Sequence, residues 1–172
     1  GVGMLQDLLT MAKNADAIAA VNADFFQANS GKGNSVGIAI EDDEMISSAY
    51  YGNESKDQFA TFVLDNNNNV FYEYLKNTIT LTSQKTQKSV KIGEINKYPR
   101  SFDDLVIYTP AWGKYSHGST LEYGLTEIVV KNDKIIEVRE NKEPVEIPEN
   151  GFVISASGDG AEFLIKNFKN FK

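Results

Sequence analysis

Two short clusters of polar and aromatic side chains follow apolar runs, and both could do chemistry. The first is Asn22-Ala23-Asp24-Phe25-Phe26, and the second is Tyr108-Thr109-Pro110-Ala111-Trp112-Gly113, which holds the only tryptophan. A carboxylate such as Asp24 can act as an acid, a base or a nucleophile. Aromatic side chains at loop bases can stack on sugar rings, and ends of strands commonly carry sites. These clusters therefore hold the candidate functional residues, although the same side chains could instead cap turns and fill a core.

The scarcity of other reactive side chains excludes several classes of site. The chain has no cysteine and a single histidine, His117, so thiol chemistry, zinc-thiolate centres and sites needing two histidines are excluded. Asp42-Asp43-Glu44 is interpreted as a solvated turn, because calcium loops place their oxygen ligands at alternate positions. Gly158-Asp159-Gly160 opens a helix, where a phosphate is a minor alternative to a simple turn. We therefore predict neither a metal nor a cofactor.

Composition and net charge limit the kinds of binding partner that the chain can have. The 172 residues, 41% of them hydrophobic and 24% charged, are typical of one globular domain, which we place at residues 1–172. Seventeen basic side chains against 24 acidic ones give a net charge of −7, the wrong sign for general binding to nucleic acid. No apolar run approaches the roughly 20 residues that span a bilayer. Nucleic acid is thus an unexpected partner, and the chain is not expected to span a membrane.

Periodicity predicts a helix at each end and many short strands between them. Helical spacing from Met4 to Asn14 predicts the first helix, and the apolar run 17–21 predicts a strand buried on both faces. Turn residues at 42–43, 65–69 and 132–133 predict three hairpins. The remaining strands are predicted at 36–40, 44–51, 59–64, 70–75, 78–82, 89–95, 105–108, 125–130, 134–138 and 151–155, and the last helix at 161–169. The expected fold is α+β, a mainly antiparallel sheet built of hairpins.

Five blocks, in this order and spacing, resemble the phosphodiester glycosidase family, which includes N-acetylglucosamine-1-phosphodiester alpha-N-acetylglucosaminidase. The blocks are Ala19 to Phe26, Ser35 to Ile38, Leu105 to Gly113, Val129 to Arg139 and Ile147 to Ser155. The family's R-T-A-I-G and D-G-G-G-S-S segments do not occur in this sequence. The resemblance therefore implies that the chain is the N-terminal part of such a domain, and it leaves open whether this part is active alone.

The resemblance implies hydrolysis of a sugar 1-phosphodiester in envelope or exopolysaccharide metabolism, and a secreted or envelope-associated protein. Asn22 and Asp24 are then the catalytic candidates, and Phe25, Phe26, Thr109 and Trp112 are the substrate-binding ones. Glycosidases normally use two carboxylates. Asp24 supplies one, and the other would come from further sequence or from a second copy in a homo-oligomer. The alternative is a non-catalytic module that binds a glycan, or a part of a larger surface protein.

Overall fold

The computed structural model describes residues 3–29, 32–49, 60–99, 103–118 and 124–169. Its two α-helices and one 3-10 helix are α1 (Leu8–Asn14), η1 (Pro110–Trp112) and α2 (Gly158–Phe168). Its strands are β1 (Gly3–Met4), β2 (Phe26–Asn29), β3 (Lys32–Ser35), β4 (Ala39–Glu41), β5 (Glu44–Ser47), β6 (Thr61–Leu64), β7 (Val70–Glu73), β8 (Ile79–Thr82), β9 (Ser89–Ile92), β10 (Glu94–Ile95), β11 (Leu105–Tyr108), β12 (Thr126–Lys131), β13 (Lys134–Glu140) and β14 (Gly151–Ala156). The fold is α+β, as the sequence predicts.

A five-stranded sheet in the order β10-β11-β14-β12-β13 carries the core. Only the short pair of β10 and β11 is parallel, and the other pairs are antiparallel. Successive residues of a strand point to opposite faces, so Leu105 packs with Ile154 on one face while Val106 packs with Val153 on the other. Helix α2 covers the first face through the buried Leu164. Burial on both faces explains why these strands have continuous apolar runs.

The predicted hairpins are confirmed. Strands β4 and β5, β6 and β7, and β12 and β13 pair in antiparallel fashion around the predicted turns, and β8 pairs with β9. Asp42, Asp43, Asn132 and Asp133 all have a positive φ, between 48° and 63°. Asparagine and aspartate tolerate this left-handed region, which matches the twist of the flanking strands. The predicted strand ends at Tyr50, Tyr51 and Phe59 lie outside the described residues.

The predicted strand at 17–21 is wrong. These residues form no strand, and the side chains of Ile18 and Val21 are exposed. A strand buried on both faces needs a paired strand at each edge and a covering layer on each face. The neighbouring strands β2 and β3 pair with each other, β3 also pairs with β1, and no described strand pairs with this run.

Several element boundaries also differ from the prediction. Helix α1 begins at Leu8 and not at Met4, because the Asp7 side chain caps it by accepting a hydrogen bond of 3.0 Å from the backbone N–H of Thr10. The predicted strand 89–95 divides at Gly93, whose N–H donates to the Leu105 carbonyl instead of continuing the β8–β9 hairpin. Helix α2 begins three residues before the predicted start. In the described part of the chain, no helix has the length and apolar character needed to cross a membrane.

Candidate functional site

The first polar cluster lines a cleft of about 510 Å³ at one side of the protein. Asn22, Asp24 and Phe25 contribute to its wall from the extended segment before β2. The remaining wall comes from the segment after β3 and the start of β6. The lining residues are Asn22, Ala23, Asp24, Phe25, Gly37, Ile38, Ala60, Thr61 and Phe62. The volume lies in the range of ordinary small-molecule sites.

Strand pairing explains how Asp24 is positioned. Strands β2 and β3 are antiparallel, with Phe26 opposite Ser35, so residues before β2 lie beside residues after β3. The pairing continues as the Val36 N–H donates to the Phe25 carbonyl at 2.9 Å. One residue further on, the Gly37 N–H donates to Oδ2 of Asp24 at 2.9 Å. The predicted strand 36–40 is therefore wrong at its start: 36–38 bend away, and strand β4 begins only at Ala39.

A buried lysine lies behind this segment. The Lys97 side chain is fully buried, and its Nζ donates hydrogen bonds to the Ser35 carbonyl and, at 3.4 Å, to the Val36 carbonyl. Burial lowers the pKa of Lys97 from its ordinary value of 10.5 to about 8, while the negative charges of Glu94 and Asp24 act to raise it. The ammonium group and the Asp24 carboxylate therefore act on the same short segment.

Two further buried polar residues connect this lysine to the central sheet. Oε2 of the buried Glu94 accepts a hydrogen bond of 2.8 Å from Ser48 Oγ. The Asn96 amide donates to the Thr109 hydroxyl at 2.7 Å and accepts from the Thr109 N–H at 2.8 Å. Asn96 also donates to the Ile46 carbonyl at 2.8 Å. The end of β10 thus forms a buried polar layer between β5 and the loop after β11.

The structure brings together only some of the residues predicted for the site. Asn22, Asp24 and Phe25 share the first cleft, and the side chains of Phe25 and Phe26 are 71% and 63% exposed. Phe26 belongs to β2 and is not among the lining residues. Thr109 lies at a second cleft of about 460 Å³, where three of the other lining residues are acidic: Glu44, Asp133 and Glu149.

Trp112 lies in the core, which was the alternative interpretation of the second cluster. Its side chain is 3% exposed, and it packs against Tyr98 and Tyr108 with ring centroids 5.1 Å and 4.9 Å apart. Stacking on a sugar needs an open ring face. Trp112 therefore supports the loop after β11 in this structure. Among the described residues, Phe25 and Phe62 have exposed rings and line the cleft with Asp24, and the ring of Phe26 is also exposed.

The alternative anion site at the start of α2 is occupied by the protein itself. The Asp159 N–H, in the first turn of this helix, donates to Oδ1 of Asp103 at 3.0 Å. A carboxylate in this position satisfies the free N–H group and the helix dipole as a phosphate would. Within the described ranges, no group of three or more histidine, aspartate or glutamate side chains is placed to hold a metal ion.

Sequence reasoning missed Glu94, Asn96 and Lys97. The predicted strand 89–95 alternates polar and apolar residues, which is typical of a half-exposed strand. The prediction for 89–95 is a strand and nothing more, and Asn96 and Lys97 lie beyond its end. The available signal was Gly93, whose lack of a side chain marks the point where the chain leaves one hairpin and joins the central sheet.

Comparison with known proteins supports the fold and leaves the activity open. No protein-family profile matches the sequence, and no curated protein matches it. The structure is similar to a hypothetical protein from Synechocystis, with a TM-score of 0.71 and 19% identity over 92% of this chain. It is also similar to a protein from Burkholderia pseudomallei K96243 whose name proposes export, with a TM-score of 0.75 and 19% identity over 95% of this chain. The chain spans 28% and 38% of these two proteins.

Proposed function

We propose that this chain belongs to a phosphodiester glycosidase that hydrolyses a sugar 1-phosphodiester in the cleft beside Asp24. The observation that carries the proposal is the shared cleft of Asn22, Asp24 and Phe25, in which the Gly37 N–H fixes one oxygen of the Asp24 carboxylate. The other carboxylate oxygen can accept a proton, the Asn22 amide can bind a hydroxyl or phosphate oxygen, and an aromatic ring can cover a sugar face. These three groups match the chemistry that the sequence resemblance implies.

The leaving group explains how one carboxylate in this cleft can suffice. When water attacks sugar C1, the C1–O bond breaks and its electron pair goes to a phosphate oxygen. The released phosphate monoester has a pKa of about 6, so it departs without being protonated by a general acid. The Asp24 carboxylate accepts the proton of the attacking water, and the products are the free sugar and the phosphate monoester. A second carboxylate, which ordinary glycosidases use to protonate an alcohol leaving group, is then unnecessary.

A substitution of Asp24 tests the proposal. Asp24→Asn keeps the shape of the side chain and an acceptor for the Gly37 N–H, but it removes the base. We expect kcat for a chromogenic sugar 1-phosphodiester to fall by roughly 10²-fold to 10⁴-fold, the usual contribution of a general base. The matched control is Asp42→Asn, an exposed turn aspartate with a φ of 49° that asparagine also tolerates. Equal turnover by Asp24→Asn and the wild type would contradict the assignment.

A glycan-binding module without activity is the second candidate function. It is favoured by the exposed rings of Phe25 and Phe62 at the cleft, and by the presence of a single carboxylate among the lining residues that the structure describes. This candidate predicts that a non-hydrolysable sugar phosphonate binds and that the phosphodiester is bound but not cleaved. Loss of binding in Phe25→Ser, together with no turnover by the wild type, would favour the module over the hydrolase.

The cellular setting follows from the same proposal. We place the protein outside the cytoplasm, in the envelope or secreted, because the family resemblance implies this location and the name of the Burkholderia pseudomallei protein proposes export. The proposal includes a homo-oligomer only in the case that turnover requires two copies of the chain to associate.

A further inference from the structure

A continuous series of contacts runs from Lys97 to the Asp24 carboxylate. The Lys97 ammonium binds the carbonyls of Ser35 and Val36, and the next residue, Gly37, donates its N–H to Asp24. The Ser35 hydroxyl adds a bond of 3.0 Å to the Gly37 carbonyl. The segment 35–37 binds Asp24 through the Gly37 N–H, and the same segment is bound by the side chain of Lys97, which lies two residues after β10.

Burial makes this contact unusual. Lys97 is fully buried, although the charged end of a lysine is strongly hydrated and almost never leaves water without partners. Its long side chain also loses more rotamer entropy on burial than a leucine would. The charged groups whose fields act on it are Glu94, near it on β10, and Asp24, on the segment before β2. A buried charge facing the cleft segment is costly for stability and points to a role in the site.

We propose that Lys97 is a positioning residue, whose ammonium fixes the Ser35–Gly37 segment so that the Gly37 N–H orients Asp24 in the cleft. This inference rests on the proposed function for its catalytic meaning, but the positioning itself is a property of the folded chain. Lys97 is not among the residues that line the cleft, whereas Gly37 and Asp24 are. It therefore acts on Asp24 through the segment that contains Gly37.

The positioning is measured without substrate by hydrogen exchange. In Lys97→Met, which has a similar length but no charge and no donor, the Gly37 amide should exchange about tenfold faster, the equivalent of one hydrogen bond. The control Lys91→Met removes an exposed lysine of β9 and should leave Gly37 unchanged. Gly37 exchange at the wild-type rate in Lys97→Met would overturn the proposal.

A second measurement does not require Lys97 to be replaced. Because Asp24 raises the pKa of Lys97, the NMR titration midpoint of the Lys97 side chain should fall below about 8 in Asp24→Asn and stay in place in Asp42→Asn. An unchanged midpoint in Asp24→Asn would show that the two groups are not coupled and would also overturn the proposal.

Kinetics connect the positioning to turnover. In the wild type, kcat should fall as the pH rises through about 8, where Lys97 loses its charge. In Lys97→Met, kcat should be lower by on the order of 10²-fold, the cost of a misplaced catalytic group, and KM should change little. The fall of kcat above pH 8, the basic limb of the pH profile, should be absent from this variant. Retention of the limb would contradict the proposal. If the wild type turns over no substrate, the proposed function fails, while amide exchange and titration still decide the role of Lys97.

Discussion

At the scale of single residues, the sequence predicts the exposed part of the site and misses the buried part. Asn22, Asp24 and Phe25 stand together in the sequence, so a short local segment brings them to one cleft. Lys97 reaches the same region from 73 positions further along the chain. Lysine is normally solvated, but this one is buried and contacts the distant carbonyls of Ser35 and Val36. Apart from Gly93, no local pattern indicates that this lysine is buried.

The buried lysine gives the stability a defined pH dependence. The pKa of Lys97 is about 8 in the folded protein and near 10.5 when unfolded, so between these values the unfolded chain binds a proton that the folded one does not. Stability rises with pH wherever the unfolded state binds more protons. Relative to Lys97→Met, the free energy of unfolding of the wild type should therefore increase by up to about 3 kcal/mol from pH 8 to pH 10.5.

Denaturant unfolding of both proteins across this range measures the difference. Groups that titrate in both, such as Tyr98, whose pKa is raised by burial, cancel in the comparison. A difference that stays constant or decreases with rising pH would contradict the assignment of a lowered pKa to Lys97.

At the scale of elements, local turn chemistry is the reliable signal. The pairs Asp42-Asp43 and Asn132-Asp133 both adopt the left-handed region that a tight hairpin needs, so the turns could be predicted from the residues alone. The run 17–21 has the composition of a buried strand, but burial requires partners that composition cannot supply. The prediction failed where the outcome depended on distant parts of the chain.

Helix α2 offers a test of packing between elements. A Cβ at Gly160 would come within 2.7 Å of Leu105 Cδ1 and 3.0 Å of the Asp103 carbonyl. Gly160→Ala should therefore destabilise the protein by about 1–3 kcal/mol through overpacking, although alanine is the better helix former.

The denaturation midpoint in urea reports this change. The exposed Glu162 of the same helix provides the control, since Glu162→Ala should shift the midpoint little. A Gly160→Ala variant as stable as the wild type would mean that α2 does not pack against β11 as closely as the structure indicates.

At the scale of the whole molecule, the central sheet and the cleft differ in how they are stabilised. The sheet buries apolar side chains on both faces, while α1 contains no buried residue and Phe25, Phe26 and Phe62 remain exposed. The cleft is tied to the sheet by the polar layer of Glu94, Asn96 and Lys97 rather than by an apolar core of its own. Parts of two much longer proteins share this fold, and a shared fold does not assign an activity, so the proposed function rests on the site.

The central claim is that the Asp24 cleft directs water to the sugar carbon of a sugar 1-phosphodiester. The most direct measurement is mass spectrometry of both products after turnover in water labelled with oxygen-18. We expect the label in the released sugar and none in the phosphate monoester. Asp24→Asn should form both products far more slowly than the wild type. Label in the phosphate monoester would mean attack at phosphorus, and it would contradict the account.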